Sequence, residues 1–257
     1  MTNIIIYGVL GKMGKALLEA ANENGEIKVV GGVDKFADDL NKTAFPFPVY
    51  KSLKEFDSKI KAEVVIDFSR PDALDDILEF CLKNNCGAVL ATTGYSEIQN
   101  EQILSASKNI AVFQSYNMSL GVNLLSNLIN QAAKFLGDDF DVEIIEKHHN
   151  QKVDAPSGTA LLLADSVSKA YSCGKTHIYD RHSKTGKREK NEIGISSVRG
   201  GNIVGEHEVM FIGKDETITF THRATSKEIF ITGALRAAVY IKDKKRGKYN
   251  MNSLTGN

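Results

Sequence analysis

The chain reads as an α/β protein with a second part: a Rossmann-like, doubly wound parallel sheet carrying an inserted, mostly antiparallel domain. Three observations predict this. A short apolar run, Ile4-Ile5-Ile6-Tyr7, leads straight into a Gly-x-x-Gly-x-x-Gly turn, Gly8-Val9-Leu10-Gly11-Lys12-Met13-Gly14, and then into a helical pattern. Strand-like and helical segments keep alternating as far as Phe113, which is the order of a parallel sheet. Beyond Asn117 the order changes to one long helix, one alternating strand and a series of strands separated by Gly-containing turns.

The first βαβ unit carries the clearest chemistry. After the glycine turn, Met13, Ala16, Leu17, Ala20 and Ala21 recur at helical spacing up to the stop signal Asn24-Gly25. A second strand, 27–33, ends at Asp34, 20 residues past Gly14. Strand, glycine turn, helix, strand and acid in that order predict a dinucleotide site. The glycines let backbone amides approach a pyrophosphate, and the acid accepts hydrogen bonds from ribose hydroxyls. Lys35 offsets the repulsion that Asp34 exerts on an extra phosphate, so the pair predicts use of both NADH and NADPH. Removing the acid, Asp34→Ala, is expected to shift preference toward NADPH.

Elements along the rest of the first half follow from composition and period. Residues 36–50, with Pro46 and Pro48, read as an irregular excursion, and Ser52-Leu53-Lys54-Glu55 as a short helix start. Val64-Val65-Ile66-Asp67-Phe68 is a buried strand, and Pro71 opens a helix whose inner face is Ala73, Leu74, Ile77, Leu78 and Cys81. A strand at 88–91 ends in Thr92-Thr93-Gly94, a helix runs through Ile103 and Leu104, and a strand occupies 110–113. Ligands of such sheets lie beyond the carboxyl ends of the strands. Gly8, Asp34, Phe68, Thr92 and the stretch Tyr116-Asn117-Met118 all fall there, and together they predict the cofactor groove.

In the second half a long helix, 120–136, precedes the alternating strand Val142-Glu143-Ile144-Ile145-Glu146, which delivers His148 and His149. The segment from Glu146 to Ala160 places two imidazoles, Lys152 and a Ser157-Gly158-Thr159 turn directly before a helix patterned by Leu161, Leu162, Ala164 and Val167. Imidazole exchanges protons near neutrality, a lysine holds or protonates an acid, and a helix N-terminus favours an anion. A polar, Ser- or Thr-capped turn is the plainer reading of the same residues. A basic stretch, 176–191, with Arg181, His182, Lys184, Lys187 and Arg188, reads either as a lid that attracts an anion or as ordinary surface. Strand-like runs follow at 193–199, 207–212 and 217–223. A final helix at 229–241 returns to the first domain, and the basic tail after it reads as a solvated helix end. The expected division is 1–118 plus 227–257 for the dinucleotide and 119–226 for substrate and oligomerisation.

Composition sets the bounds. The chain has 257 residues, and 32 Lys plus Arg balance 32 Asp plus Glu, so no basic field invites nucleic acid or an anionic membrane. No stretch approaches the roughly 20 apolar residues of a membrane span, and Ile4 to Tyr7 is too short for a secretion signal. Cys81, Cys86 and Cys173 lack zinc spacing and suit a reducing cytoplasm. Adjacent histidines on a strand exit point to opposite sides, so Glu146, His148 and His149 make a poor metal site and no metal is expected. The remaining histidines, His177, His182, His207 and His222, have no ligand-like spacing and read mostly as surface or packed residues.

Taken in order, several segments carry a resemblance. They are the glycine turn at 8–14, Asp67-Phe68-Ser69-Arg70-Pro71, Thr92-Thr93-Gly94, Asn117 to Asn123, Glu146 to Ala160, Arg199-Gly200-Gly201 and Gly205-Glu206-His207. Nearly the whole chain resembles the 4-hydroxy-tetrahydrodipicolinate (dihydrodipicolinate) reductase family of lysine biosynthesis. The resemblance implies NAD(P)H-dependent reduction of a small dicarboxylate and a homotetramer built through the substrate-domain sheets. It implies that His148 is a proton donor and acceptor, Lys152 a second proton donor, and His149, Ser157, Gly158 and Thr159 substrate contacts. Cofactor contacts are implied at Gly8, Val9, Leu10, Gly11, Lys12, Met13, Asp34, Lys35, Ala91, Thr92, Thr93, Ser115, Tyr116, Asn117 and Met118. Many relatives have Gly in place of Ala91 and Phe in place of Met118, so cofactor affinity is expected to differ more than chemistry. Two rival readings are a dehydrogenase for another small amino or imino acid and a non-catalytic NAD(P)H sensor. The Ser-Gly-Thr turn beside His148 and Lys152 argues against the first, and the intact histidine-lysine segment against the second.

Overall fold

The computed structural model describes residues 1–38, 44–57, 59–179, 181, 182 and 185–255. The chain forms two compact units: Met1–Ser119 with Glu228–Asn257, and Leu120–Lys227. The first unit begins with β1 (Thr2–Tyr7), α1 (Lys12–Asn22), β2 (Ile27–Val33), β3 (Val49–Tyr50), β4 (Val64–Asp67), α2 (Leu74–Asn84), β5 (Gly87–Leu90), α3 (Glu97–Ala106) and β6 (Ala111–Gln114). The second holds α4 (Leu120–Leu136), β7 (Asp141–His148), α5 (Gly158–Ser168), β8 (Thr176–Ile178), β9 (Glu192–Arg199), β10 (Gly205–Ile212) and β11 (Thr217–Ala224). The chain then re-enters the first unit with α6 (Glu228–Ile241) and β12 (Gly247–Tyr249).

Every pairing in the first sheet is parallel, in the order β12-β6-β5-β4-β1-β2-β3. From β1 the chain moves outward to β2 and β3, then crosses to β4 and winds the other way. The switch therefore lies between β1 and β4, whose carboxyl ends are Tyr7 and Asp67. Apolar residues point to both faces, as a parallel sheet buried by helices requires. Ile5, Val65, Leu90 and Val112 join Leu74, Ile77 and Ile103 on one side. On the other, α6 crosses β4, β5 and β6 and packs beside α1. Its Gly233 leaves no room for a side chain: a Cβ there would sit 1.8 Å from the Met118 carbonyl oxygen.

The sheet of the second unit runs β11-β10-β7-β9-β8 and is mixed. β10 is antiparallel to β7 and β11, while β9 is parallel to β7 and β8. The parallel pairings follow from α5, a crossover that returns the chain to run in the direction of β7. Val142, Ile144, Ile193, Ile195, Val209 and Phe211 face α4 and α5 and close the core with Leu125, Ile129, Leu163 and Val167. Three strands, β3, β8 and β12, were not expected from the sequence. Each has two or three residues at a sheet edge, too short for a period to register. β12 lies inside the basic tail read as a solvated helix end, and β8 inside the basic stretch.

Candidate functional site

In the first unit the main chain makes the site. Gly8 adopts φ +85°, a left-handed conformation that a side chain disfavours. Its carbonyl accepts from the Gly11 N–H at 3.0 Å. A Cβ on Gly14 would lie 2.1 Å from that same carbonyl oxygen, so the turn closes only with glycine there. Gly11 is the N-cap of α1, and no side chain caps that helix. A cavity of about 680 Å³ opens at this end, lined by residues after β1 (Gly8, Leu10, Gly11), after β2 (Asp34, Lys35, Phe36) and after β4 (Phe68 to Arg70, Asp72). A tight glycine turn, a helix N-terminus and an acid at the end of β2 fit a dinucleotide.

Two carboxylates brace the cavity. Asp34 accepts the Leu10 N–H on one oxygen and the Phe36 N–H on the other, both at 3.1 Å. Asp67, fully buried, accepts from the Ser69 N–H at 2.9 Å, the Ser69 hydroxyl at 2.5 Å and the Tyr95 hydroxyl at 2.9 Å. Burial raises the Asp67 pKa against the pull of these donors. The Ser69 N–H also reaches Thr92 Oγ1 at 3.0 Å, tying the loop after β4 to the one after β5.

In the second unit side chains make the site. Glu146 has no exposed surface, yet its carboxyl is held down to about 2. Burial alone would raise it; hydrogen bonds from Arg199, Ser197 and His148 outweigh that effect. Arg199 donates to both Glu146 oxygens, at 2.8 and 2.7 Å, and also to the Asp154 carbonyl at 2.7 Å. His148 Nδ1 lies 2.5 Å from Glu146 Oε2, and the Ser157 N–H donates to Oε1 at 3.1 Å. An ionised carboxylate at Nδ1 fixes that nitrogen as the donor and leaves Nε2 for chemistry. Gly205 keeps the space beside Nε2 open: a Cβ there would approach it to 3.0 Å. Burial lowers the His148 pKa, against the opposing pull of Glu146.

The Ser157 hydroxyl caps α5, accepting the Ala160 N–H at 3.1 Å, and lies 2.9 Å from His207 Nε2. His207 is buried, stands edge-on to His148 with ring centroids 5.2 Å apart, and is kept neutral by that burial, its pKa lowered to about 4. Lys152 Nζ is held 2.8 Å from Asp154 Oδ1, on the loop between His149 and the helix. The Arg199-Gly200-Gly201 corner runs alongside, with Gly200 N–H bound to the His148 carbonyl and Asn150 N–H to that of Gly201.

The structure thus gathers His148, Lys152, Ser157 and the start of α5 in one unit, and Gly8, Leu10, Gly11, Asp34 and Lys35 around one cavity in the other. Val9 is buried under the turn, Lys12 is exposed and Met13 half-buried at the start of α1. Ala91, Thr92, Thr93, Ser115, Tyr116, Asn117 and Met118 follow β5 and β6 at the same end of the sheet but do not line that cavity. Tyr116 is exposed, whereas the Met118 side chain is buried. His149 is half-buried, Gly158 exposed and Thr159 half-buried at the head of α5. The sequence assigns no individual role to Arg199, Gly205 or His207, and offers Glu146 only as a poor metal ligand. Its carboxylate is instead taken up by Arg199, His148 and Ser157. The basic stretch does not present free arginines. Arg181 pairs with Glu192 and Glu143, and Arg188 with Asp141 and Glu143; Lys184 lies outside the described residues.

Comparison with known proteins covers both units. Residues 2–118 match the family model described as dihydrodipicolinate reductase, N-terminus, and residues 121–254 the one described as its C-terminus. A 4-hydroxy-tetrahydrodipicolinate reductase of Caldanaerobacter subterraneus subsp. tengcongensis is 48% identical over 254 residues, covering 99% of this chain and 98% of the relative. One from Clostridium novyi is 46% identical over 255 residues, with coverage of 99% and 98%. The dipicolinate-bound dihydrodipicolinate reductase from Paenisporosarcina sp. TG-14 matches with a TM-score of 0.81 at 25% identity, over 98% of this chain and 99% of that one.

Proposed function

The chain belongs to the dihydrodipicolinate reductase family, and from that premise we propose how its residues divide the work of reducing 4-hydroxy-tetrahydrodipicolinate to tetrahydrodipicolinate. It is an oxidoreductase of the diaminopimelate route to lysine that uses a pyridine nucleotide. The first unit binds the dinucleotide: amides of the glycine turn and of α1 hold the pyrophosphate, Asp34 the ribose, and the loops at Ala91 to Thr93 and Ser115 to Met118 the remainder. Lys35 beside Asp34 supports use of both NADH and NADPH. When bound, the cofactor supplies the hydride.

The second unit binds the dicarboxylate and manages protons. The N-terminus of α5, at Gly158 and Thr159 behind the Ser157 cap, offers backbone N–H groups and a positive dipole end to one carboxylate. Lys152 and His149 add cationic or donor contacts. His148, held by Glu146 with Nε2 free, accepts or delivers a proton at Nε2, and the carboxylate at Nδ1 stabilises the imidazolium formed when it accepts one. The Lys152 ammonium supplies the second proton source, assisting loss of water and protonation of the reduced ring. The observation that carries this reading is the Arg199–Glu146–His148 chain, with Glu146 and His148 buried, beside the Ser157 helix cap. A non-catalytic sensor has no use for it.

The test is NADH and NADPH oxidation with substrate made in situ from pyruvate and aspartate semialdehyde by the preceding pathway enzyme. Oxidation is expected only with both precursors. His148→Ala and Lys152→Ala are each expected to lower turnover by about two orders of magnitude or more; near-normal rates in both would remove the site assignment. The same reading includes a homotetramer built through the second sheet. Ile145, Val198 and Met210 on the face opposite its core support that, and light scattering after gel filtration measures it.

A further inference from the structure

The first unit's cavity holds four charged residues among those lining it: Asp34, Lys35, Arg70 and Asp72. Their signs cancel, and their pairing is uneven. Asp34 spends both oxygens on backbone amides of the turn and of the segment after β2. Asp72, from the first turn after β4, lies instead against the two cations. Lys35 Nζ is 3.4 Å from one of its oxygens, and Arg70 Nε is 3.9 Å from the other. All three side chains are more than half exposed, so these pairs are loose and add little to stability. They do set the local charge balance: with Asp72 ionised, an added phosphate would have to compete with its carboxylate for both cations.

We propose that Asp72 is a cofactor-specificity residue that restrains Lys35 and Arg70 and so weakens binding of a ribose 2′-phosphate. The assignment rests on the reading that this cavity binds NAD(P)H. A 2′-phosphate carries about 1.5 to 2 negative charges near neutral pH. Asp72 repels it directly and competes for the two cations beside it, Lys35 at 3.4 Å and Arg70 at 3.9 Å. The 2′-hydroxyl of NADH has no such charge and is met by Asp34. Asp72 therefore separates the two cofactors without touching the turn, whereas Asp34→Ala also removes an acceptor from the Leu10 and Phe36 amides. For that reason the expected shift toward NADPH is read more cleanly at Asp72 than at Asp34.

The experiment measures NADH and NADPH dissociation constants of the full chain by fluorescence titration without substrate, for wild type, Asp72→Asn and Asp72→Asn with Lys35→Ala. Asp72→Asn is expected to raise NADPH affinity relative to NADH by about five- to tenfold at low ionic strength. The gain should shrink as salt screens it. Adding Lys35→Ala should cancel much of it. Because a ratio is read, a partly unfolded preparation does not mimic the result. An unchanged ratio in Asp72→Asn, with both dinucleotides bound, overturns the proposal and leaves the cofactor reading standing. Failure of the wild type to bind either dinucleotide overturns both.

Discussion

The two units solve the problem of placing charge in opposite ways. In the first, the cavity is shaped by main chain: a left-handed Gly8, a Gly14 with no space for a Cβ, and helix amides, with cations loosely held in solvent. In the second, the polar atoms are mostly side chains, buried except for a half-buried Arg199, and each is fixed by another group: Arg199 by Glu146, Glu146 by His148 and the Ser157 N–H, the Ser157 hydroxyl by His207. A surface built from backbone suits a large cofactor gripped at many points. A buried chain of charges suits a proton, whose acceptor must stand in one tautomer and one orientation. The two designs fail differently under mutation.

The largest effect is expected where backbone meets backbone. Gly14→Ala forces a Cβ into the Gly8 carbonyl and should cost more than about 4 kcal/mol of stability in the first unit, with loss of dinucleotide binding; chemical denaturation and NADH titration measure both. Next comes the buried charge. Arg199→Ala strands Glu146 without its guanidinium and should cost on the order of 3 to 4 kcal/mol, part of which Glu146→Gln in the same chain restores. If the double variant is no more stable than the single one, the ion pair does not anchor the site.

An effect of intermediate size is set by pH. His207 is lowered from 6.5 to about 4, so between those values the unfolded chain binds the extra proton and stability falls as pH drops through that window. The loss is roughly 2 to 3 kcal/mol. Glu146, lowered from 4.5 to about 2, extends the loss below pH 4.5 in the same direction. Melting curves from pH 7 to pH 4 should show the decline, and His207→Gln should make it shallower between 6.5 and 4, the remaining slope coming from His148 and His222, which burial also lowers. The smallest effect is expected at Gly205, where Ala crowds His148 Nε2. About a tenfold fall in kcat/KM, equivalent to about 1.4 kcal/mol, is expected with little change in NADH affinity. Unaltered kinetics would mean that Nε2 needs no clearance on that side.

What the sequence disclosed follows the same division. The cavity at the glycine turn is legible because its parts are local: strand, glycines, helix and acid lie within one βαβ unit, and Asp34 follows its strand directly. The segment from Glu146 to Ala160 is legible for the same reason. Arg199 and His207 are not, because strand pairing brings them in from far along the chain, so that Arg199 meets Glu146 across 53 residues and His207 meets Ser157 across 50. Arg199 stands opposite His148 across β7 and β9, and His207 opposite Glu146 across β7 and β10. One signal for His207 was present. It shares the inward phase of its strand with Val209 and Phe211, and a buried histidine in that phase needs a partner. The short edge strands had no signal of their own, since two or three residues take their structure from the neighbour they pair with.

The proposed function puts dinucleotide binding and proton transfer in separate units. The direct measurement is NADH affinity and steady-state turnover on one preparation of Lys152→Ala. An NADH dissociation constant within about twofold of wild type, with turnover lower by about two orders of magnitude or more, is the predicted result. Turnover near that of wild type, or NADH affinity falling in step with it, would contradict the account.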